Sequence, residues 1–535
     1  CSGFCASGYT KSLQKEKPGV IVSTSGPGVT NLITPLQDAM SDGVPLIAIT
    51  GQVPTDSLYT NAFQECSAIE LTKACTKKNY QVTDPRDISD IMDEAFKLSM
   101  EDRKGPIHID IPKNIFMKET KMYFQSNKKQ ILQTKTYSNL ENVKQLLDKS
   151  KKPILLIGQG CQHSYEKIRE FSTKYSIPVT TTIHGMGIVS ETDPLSLEMC
   201  GMHGNPLANI ALQRADLIIG VGTRFDDRIT GKLSTYGKET ILQNGIVHID
   251  SSQKQLDLVK YTFDKHFENT NFLQQYKMDS YDFFDILNKT YHSRESFTHW
   301  SKILSRSKRN YLYYKGDPTI FKTPDVIECF NKTIDLLKIN RDKLYISTGV
   351  GNHQMWTAQH ITWTSPNKMI TSGSLGTMGV GVPYAIGTKL ANKGSMVLCI
   401  DGDSSFNMTS NELQTILENN IPLKIAIMND KRQQMVYIWQ KLFHNNNIVG
   451  TENKNPDYNL LSQAYNIKNL YCNSKNTLYK ITEEFLTYNK GPIIAVFDVE
   501  PSMCFPLVAP GKSLDNMILS EKDITLIDSN QNAPN

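Results

Sequence analysis

Two carboxylates and two hydroxyls, Asp401-Gly402-Asp403-Ser404-Ser405, follow directly on the apolar run Met396 to Ile400. That run is β-like and has the length of a buried strand. Residues 411–420 then carry the apolar period of a helix, and residues 422–428 form a second β-like run that ends at Asn429-Asp430. Asp403 and Asp430 are thus expected at the carboxyl ends of two strands joined by one helix. A right-handed βαβ unit puts those ends on one edge of the sheet. Two hard oxygen donors meeting there, with turn amides close by, suit Mg²⁺ holding a diphosphate, the cation neutralising the phosphates. A lone Asp after a strand more often caps a turn or a helix. The pair at this spacing points to metal and diphosphate.

The elements needed to hold such a site recur along the chain. Residues 20–24 read as a strand, Ser25-Gly26-Pro27-Gly28 as a sharp turn, Val29 to Met40 as one amphipathic helix, and residues 45–50 as the next strand. A further strand, 106–111, ends at Pro112-Lys113, and from about Met117 to Asn142 the polar composition reads as a linker. A second block opens at Lys152, where "KPILLIGQG", "IPVTTTIHGMG" and "ADLIIGVGTRFDD" each run a strand into a glycine turn and "GIVHIDSS" adds another strand. Between Tyr261 and about Tyr314 the strand signal gives way to aromatic and charged helical sequence. A third block starts near Thr323, with strands at 344–347, 396–400, 424–428 and 493–497. Strands alternating with helices imply parallel sheets with ligands at the carboxyl ends of the strands. The expected fold class is α/β, with three doubly wound parallel-sheet domains at residues 1–125, 145–290 and 323–535.

Bulk properties agree. A chain of 535 residues is too long for one core. The net charge of +4 is spread diffusely, which speaks against nucleic acid or membrane partners. The ten cysteines are scattered and read as buried thiols of a reducing compartment, not a disulfide framework.

Gly402-Asp403-Ser404 followed by Asn429-Asp430 resembles the thiamine diphosphate motif usually written Gly-Asp-Gly … Asn-Asn. Longer strings extend the likeness over nearly the whole chain: "SGPGVTNLITP", "DGVPLIAITGQVPT", "GTRFDDRITG", "TSGSLGTMGVGVP" and "MVYIWQKLF". They are similar to the catalytic subunits of acetohydroxyacid (acetolactate) synthases. The resemblance implies the thiamine diphosphate-binding fold and the cofactors thiamine diphosphate, Mg²⁺ and FAD. It implies a homodimer or higher oligomer, with each active site between the first domain of one subunit and the third domain of its partner. The activity it implies is decarboxylation of pyruvate on thiamine diphosphate and condensation of the two-carbon unit with a second 2-oxo acid, pyruvate or 2-oxobutyrate. That is the first common step of branched-chain amino acid synthesis.

Carried over position by position, the resemblance makes Asp403, Asp430 and the Arg432 carbonyl metal ligands, with Asp430 where the family has Asn. Val350, Gly351, Asn352 and His353 match the diphosphate loop, with Ser404, Ser405, Gln433, Met435 and Val436 around them. Gln434 stands where the family has a glycine. Met378, beside Gly376, matches the residue that wedges the cofactor into its bent shape, although a methionine is ordinarily core filling. Thr24, Pro27 and Asn31 match contacts to the pyrimidine ring. Phe63 and Gln64 match residues near the reacting carbon, and Lys113 one at the site mouth. Arg103, Gly158, Gly160, Thr182, Met202, His203, Gly204, Gly222, Thr223, Arg224, Asp250 and Ser251 match the flavin site. Glycines at strand ends admit a pyrophosphate closely, but no clean GxGxxG is present. Arg228 and Trp439 match the pocket for the second 2-oxo acid, an Arg clasping its carboxylate and an indole limiting its size. Asp227 is placed to orient Arg228.

Aligning Gly8-Tyr9 with the family's Gly-Tyr puts the cofactor-activating glutamate just ahead of Cys1, and neither Glu16 nor Glu65 aligns with it. The expectation is an N-terminally incomplete record of an active enzyme. The alternative is a cofactor-binding but inactive paralogue or non-catalytic subunit. A regulatory small subunit is a further candidate partner. The family works in bacterial cytoplasm or in plastids and mitochondria.

Overall fold

The computed structural model describes residues 1–120, 140–293, 296–308, 319–520 and 523. Most of the expected linker, residues 121–139, lies outside the described residues, as do 309–314 of the stretch after Tyr261 and the C-terminal tail beyond 520 except residue 523.

Three large sheets form, each parallel throughout with helices connecting the strands, beside a small antiparallel pair, Leu507–Val508 with Met517–Ile518. The first runs in the order Gly19–Ser23, Leu46–Gln52, Pro106–Pro112, Lys78–Gln81. The second runs Leu273–Lys277, Ile246–Asp250, Leu217–Val221, Pro153–Ile157, Val179–Thr181, Ser196–Met199. The third runs Met369–Ile370, Leu344–Thr348, Met396–Gly402, Lys424–Asn429, Ile493–Asp498, Lys468–Cys472. The central strands read as unbroken apolar runs because helices cover both faces of a parallel sheet; Pro153–Ile157, Leu217–Val221 and Leu344–Thr348 are buried at every position.

Strand order fixes where ligands can enter. In the third sheet the chain reverses direction between Leu344–Thr348 and Met396–Gly402, and in the second between Pro153–Ile157 and Leu217–Val221. At such switch points the loops leave in opposite directions and open a crevice at the carboxyl ends. The residues just beyond those four strands are Gly349-Val350, Asp403, Gly158 and Gly222-Thr223.

Several expectations need correction. Val29 to Met40 is not one helix but two, Pro27–Thr30 and Ile33–Ser41. Pro35 cannot donate to residue 31 and its ring would clash there, so no helix can run through. The helix expected over 411–420 is a 3₁₀ turn, Ser410–Glu412, followed by the short helix Leu413–Glu418. The stretch after Tyr261 contains the unexpected strand Leu273–Lys277, which pairs with Ile246–Asp250 at a sheet edge. Its residues are polar because an edge strand is only half covered. Lys78–Gln81 and Lys468–Cys472 are edge strands overlooked for the same reason.

The first and third sheets are held together by unusually close helix contact. Helix Ser2–Ser12 lies on helix Gly381–Ala391, and a Cβ on Gly387 would fall 1.8 Å from the Cys5 carbonyl oxygen. Only glycine permits that approach. No helix among the described residues is long and apolar enough to cross a membrane.

Candidate active site

Strands Met396–Gly402 and Lys424–Asn429 are direct neighbours, with Gly402 opposite Met428. Asp403 and Asp430, each one residue beyond its strand, therefore share an edge, and both line a cavity of about 60 Å³. Asp403 is 2% exposed. Its Oδ1 accepts from the Ser404 amide at 2.6 Å, and its Oδ2 from Asn455 Nδ2 at 2.5 Å. Asp430 Oδ1 accepts from the Arg432 amide at 3.2 Å. Burial and then the neighbouring Asp403 charge push the Asp430 carboxyl up to about 8, and burial raises Asp403 as well. Two buried acids that oppose each other's ionisation are the donor set a divalent cation relieves. Among the described residues no cluster of three or more His, Cys, Asp or Glu could hold a metal. An ion here would thus complete its shell with carbonyl, water or phosphate oxygens, as Mg²⁺ does. Asp401 is not in this cavity; its carboxylate lies behind the strand end, where a Cβ on Gly349 or Gly381 would strike it.

Opposite the two acids stands the amino end of helix Asn352–His360, with Val350, Gly351, Asn352 and His353 in the cavity wall. Free amides and the helix dipole favour an anion at such an end. Asn352 Oδ1 is buried without a hydrogen-bond partner, which leaves polar capacity for a ligand, whereas His353 Nε2 faces the Asp401 carboxylate at 3.3 Å. Met378, Ser404, Ser405, Arg432, Gln433, Gln434, Met435 and Val436 complete the wall. The Ser405 hydroxyl is already committed, accepting from the Gly379 amide at 2.9 Å.

Val350, Gly351 and Met435 also border a second cavity of about 910 Å³, which opens where the three sheets meet. Arg103, Gly160, Thr182, Met202, His203, Gly222, Thr223, Arg224, Asp250, Ser251 and Gly376 all line it. The Arg103 and Arg224 guanidinium groups both donate to the Ser41 carbonyl, at 2.5 and 3.2 Å. Two cations held close together favour an anion beside them, Asp226 already pairing with Arg224 at 3.0 Å, and burial followed by the Arg224 charge lowers Arg103. The buried Thr223 hydroxyl has no partner. Volume, paired cations and an unmet hydroxyl fit a dinucleotide such as FAD. Gly158 and Gly204 do not line the cavity: a Cβ on Gly158 would strike the Gly222 carbonyl at 2.1 Å, and one on Gly204 the Cys200 backbone at 2.3 Å. Their part is to let neighbouring turns close up.

At the third-sheet side of this cavity the Arg228 guanidinium sits 5.7 Å from the Trp439 ring centre and donates to Met202 Sδ at 3.2 Å. Asp227 lies 3.9 Å away, and both charged groups are largely exposed.

The first-domain residues are elsewhere. Thr24, Pro27, Asn31, Phe63, Gln64 and Lys113 are exposed and line neither cavity. The turn at Gly26, with φ +58°, packs against the Gln64 backbone and brings the 24–31 and 63–64 segments together. Phe63 is 90% exposed. Sequence reasoning passed over Asn453 and Asn455, whose amides donate to Ser404 Oγ and Asp403 Oδ2; Asn455-Pro456-Asp457 carries a turn signature, but nothing in it marks a place at the sheet edge.

Comparison with known families matches each unit. Residues 1–71 match the N-terminal TPP binding domain of thiamine pyrophosphate enzymes, 140–263 the central domain and 349–497 the C-terminal TPP binding domain. The mitochondrial acetolactate synthase of Schizosaccharomyces pombe is 37% identical over 543 aligned residues, 97% of this chain and 79% of the relative. The mitochondrial acetolactate synthase catalytic subunit of Saccharomyces cerevisiae is 36% identical over 98% of this chain and 77% of its own length. Chloroplastic acetolactate synthase 1 of Zea mays is 34% identical over 96% and 81%. These relatives do not favour the non-catalytic alternative. A chain alike at this level over almost its whole length, with paired acids at the expected sheet edge, belongs to the acetolactate synthase family of thiamine pyrophosphate enzymes.

Proposed function

We propose that the protein is an acetolactate synthase catalytic subunit that joins pyruvate to a second 2-oxo acid. The observation that carries this reading is the conjunction of two features. Asp403 sits at the third sheet's switch point with Asp430 at the end of the neighbouring strand, and the Arg228–Trp439 pair borders the cavity that adjoins them. An enzyme that only decarboxylated pyruvate would have no use for the second feature.

Thiamine diphosphate, when bound, supplies the electron sink for decarboxylation. Asp403, Asp430 and the Arg432 carbonyl would hold its Mg²⁺, and the amino end of helix Asn352–His360 would take the diphosphate. Met378 would support the bent cofactor. Arg228 pairs with the carboxylate of the incoming 2-oxo acid, and the Trp439 ring sets how large its side chain can be. FAD belongs in the larger cavity, against Arg103, Arg224 and the Gly222-Thr223 turn.

The exposed group Thr24, Pro27, Asn31, Phe63, Gln64 and Lys113 acts in this reading through a second copy of the chain, which its face meets at the third sheet's site. The same reading divides the chain into units at 1–125, 145–290 and 323–535. A regulatory subunit and an organellar location like that of the named relatives are part of the proposal.

The test is product analysis with the full-length protein, pyruvate, Mg²⁺, thiamine diphosphate and FAD. Acetolactate is expected. Release of acetaldehyde or acetyl phosphate alone would contradict the assignment.

A further inference from the structure

The geometry points to Asn455 as the residue that positions the Asp403 carboxylate for its cation, an inference that rests on the proposed metal site. Asn455 lies on the segment between strand Lys424–Asn429 and helix Tyr458–Ala464 that passes over the sheet edge. Its Nδ2 donates twice, to Asp403 Oδ2 at 2.5 Å and to Asn429 Oδ1 at 2.8 Å. One amide thereby spans the ends of both strands that carry the acids.

The direction of that amide is fixed by a chain of neighbours. Asn407 Nδ2 donates to Asn455 Oδ1 at 3.2 Å, and Tyr458 donates its hydroxyl to Asn407 Oδ1 at 3.1 Å. On the other side Asn429 Nδ2 donates to Asp498 Oδ1 at 3.1 Å. Each group's donor or acceptor role is set by the one before it, so flipping the Asn455 amide would break three bonds. Such neighbours of a ligand govern its orientation and its affinity for the ion.

The choice of residue also matters. A lysine or arginine in this place would orient Asp403 equally well but would cancel the charge that attracts the cation. A neutral donor fixes the carboxylate through Oδ2 and leaves the pair's negative charge intact. Asn455 is a positioning residue in this sense: it reaches no substrate or cofactor and acts through Asp403.

The experiment titrates Mg²⁺ into the full-length protein with saturating thiamine diphosphate, reading tryptophan fluorescence. Asn455→Ala should raise the apparent Mg²⁺ Kd by roughly tenfold to hundredfold. Flavin content and the thermal midpoint of the cofactor-free protein should stay near those of the parent, as a merely structural role would not allow. In an Asp403→Asn background the same substitution should change the Kd by less than about threefold, since the two act as one unit. Should Asn455→Ala fold poorly, the exposed Asn407→Ala frees the amide to turn and should give a rise in the same direction. An unchanged Mg²⁺ Kd in the foldable variant, or an equal effect in both backgrounds, overturns the inference. If the parent itself shows no Mg²⁺-dependent binding of thiamine diphosphate, the metal-site reading fails and this inference with it.

Discussion

The Lys11 ammonium lies 2.7 Å from the Asp42 carboxylate, and both side chains are sealed from solvent. Lys11 also donates to the Thr371 carbonyl at 2.6 Å, while Asp42 faces His184 Nε2 at 3.3 Å and accepts from the Gly373 amide at 3.3 Å. The pair thus ties together segments belonging to all three sheets, beside the larger cavity. Burial alone would raise Asp42, but Lys11 and then His184 hold its carboxyl well below the usual carboxylate range. Lys11→Met strands that buried charge and should cost about 3–5 kcal/mol. Denaturant unfolding of the parent, Lys11→Met and Lys11→Met/Asp42→Leu checks it: the double variant should recover much of the loss. Equal loss in both variants would count against the pair as the cause.

Acid should weaken the fold through three histidines. Burial depresses His108, His203 and His248 to about 4 each. For His248 the geometry fixes the neutral form, since Nε2 donates to the Thr223 carbonyl at 3.0 Å and Nδ1 accepts from Gln275. An unfolded histidine titrates near 6.5. Between about pH 6.5 and 4 the unfolded chain therefore binds protons that the folded chain refuses. Their stabilisation is complete above about pH 6.5 and is lost as pH falls toward 4, by up to about 3 kcal/mol per residue. The Asp430 and Asp250 carboxyls, raised to about 8 and about 6, take up protons and stabilise the fold over the same window, so the ring is read as a difference: between about pH 7.5 and 5 the thermal midpoint of the parent should fall relative to that of His248→Gln. Equal pH slopes in the two would show that the ring titrates normally.

Arg228→Ala should raise the KM for the second 2-oxo acid roughly tenfold to hundredfold, the effect of losing about 1.5–3 kcal/mol of charge-assisted pairing. Pyruvate decarboxylation should continue, with more acetaldehyde released. Trp439→Leu should relax the choice between pyruvate and 2-oxobutyrate. Competition assays read both, and unaltered ratios would remove these residues from the pocket.

Gly222 has φ +58°, and a Cβ there would sit 2.7 Å from Gly160 Cα. Gly222→Ala must push the two turns apart and strain the backbone. Flavin absorbance near 450 nm should fall to about a tenth of the parent's, a loss of roughly 1.4 kcal/mol or more in binding. Full flavin loading would mean that these turns do not support the dinucleotide.

Much of this architecture was readable from the residues, and the failures have physical causes. Buried central strands such as Leu217–Val221 announce themselves by continuous apolar runs. Edge strands such as Leu273–Lys277 do not, because half their surface stays polar. The two acids were found through spacing, since two parallel neighbouring strands joined by one crossover end on the same sheet edge. Asn455 escaped because its partner Asp403 is 52 residues away, and no local pattern marks a contact made by a loop crossing over. The exposed position of Phe63 and Gln64 was foreshadowed only by the family resemblance, which assigns their site to two chains.

The most direct test of the central claim is the anomalous scattering of Mn²⁺ in crystals of the full-length protein grown with thiamine diphosphate. The account predicts one strong peak between the Asp403 and Asp430 side chains, with the cofactor's diphosphate beside it. Clear cofactor density with the metal elsewhere, or with those carboxylates turned apart, would contradict it.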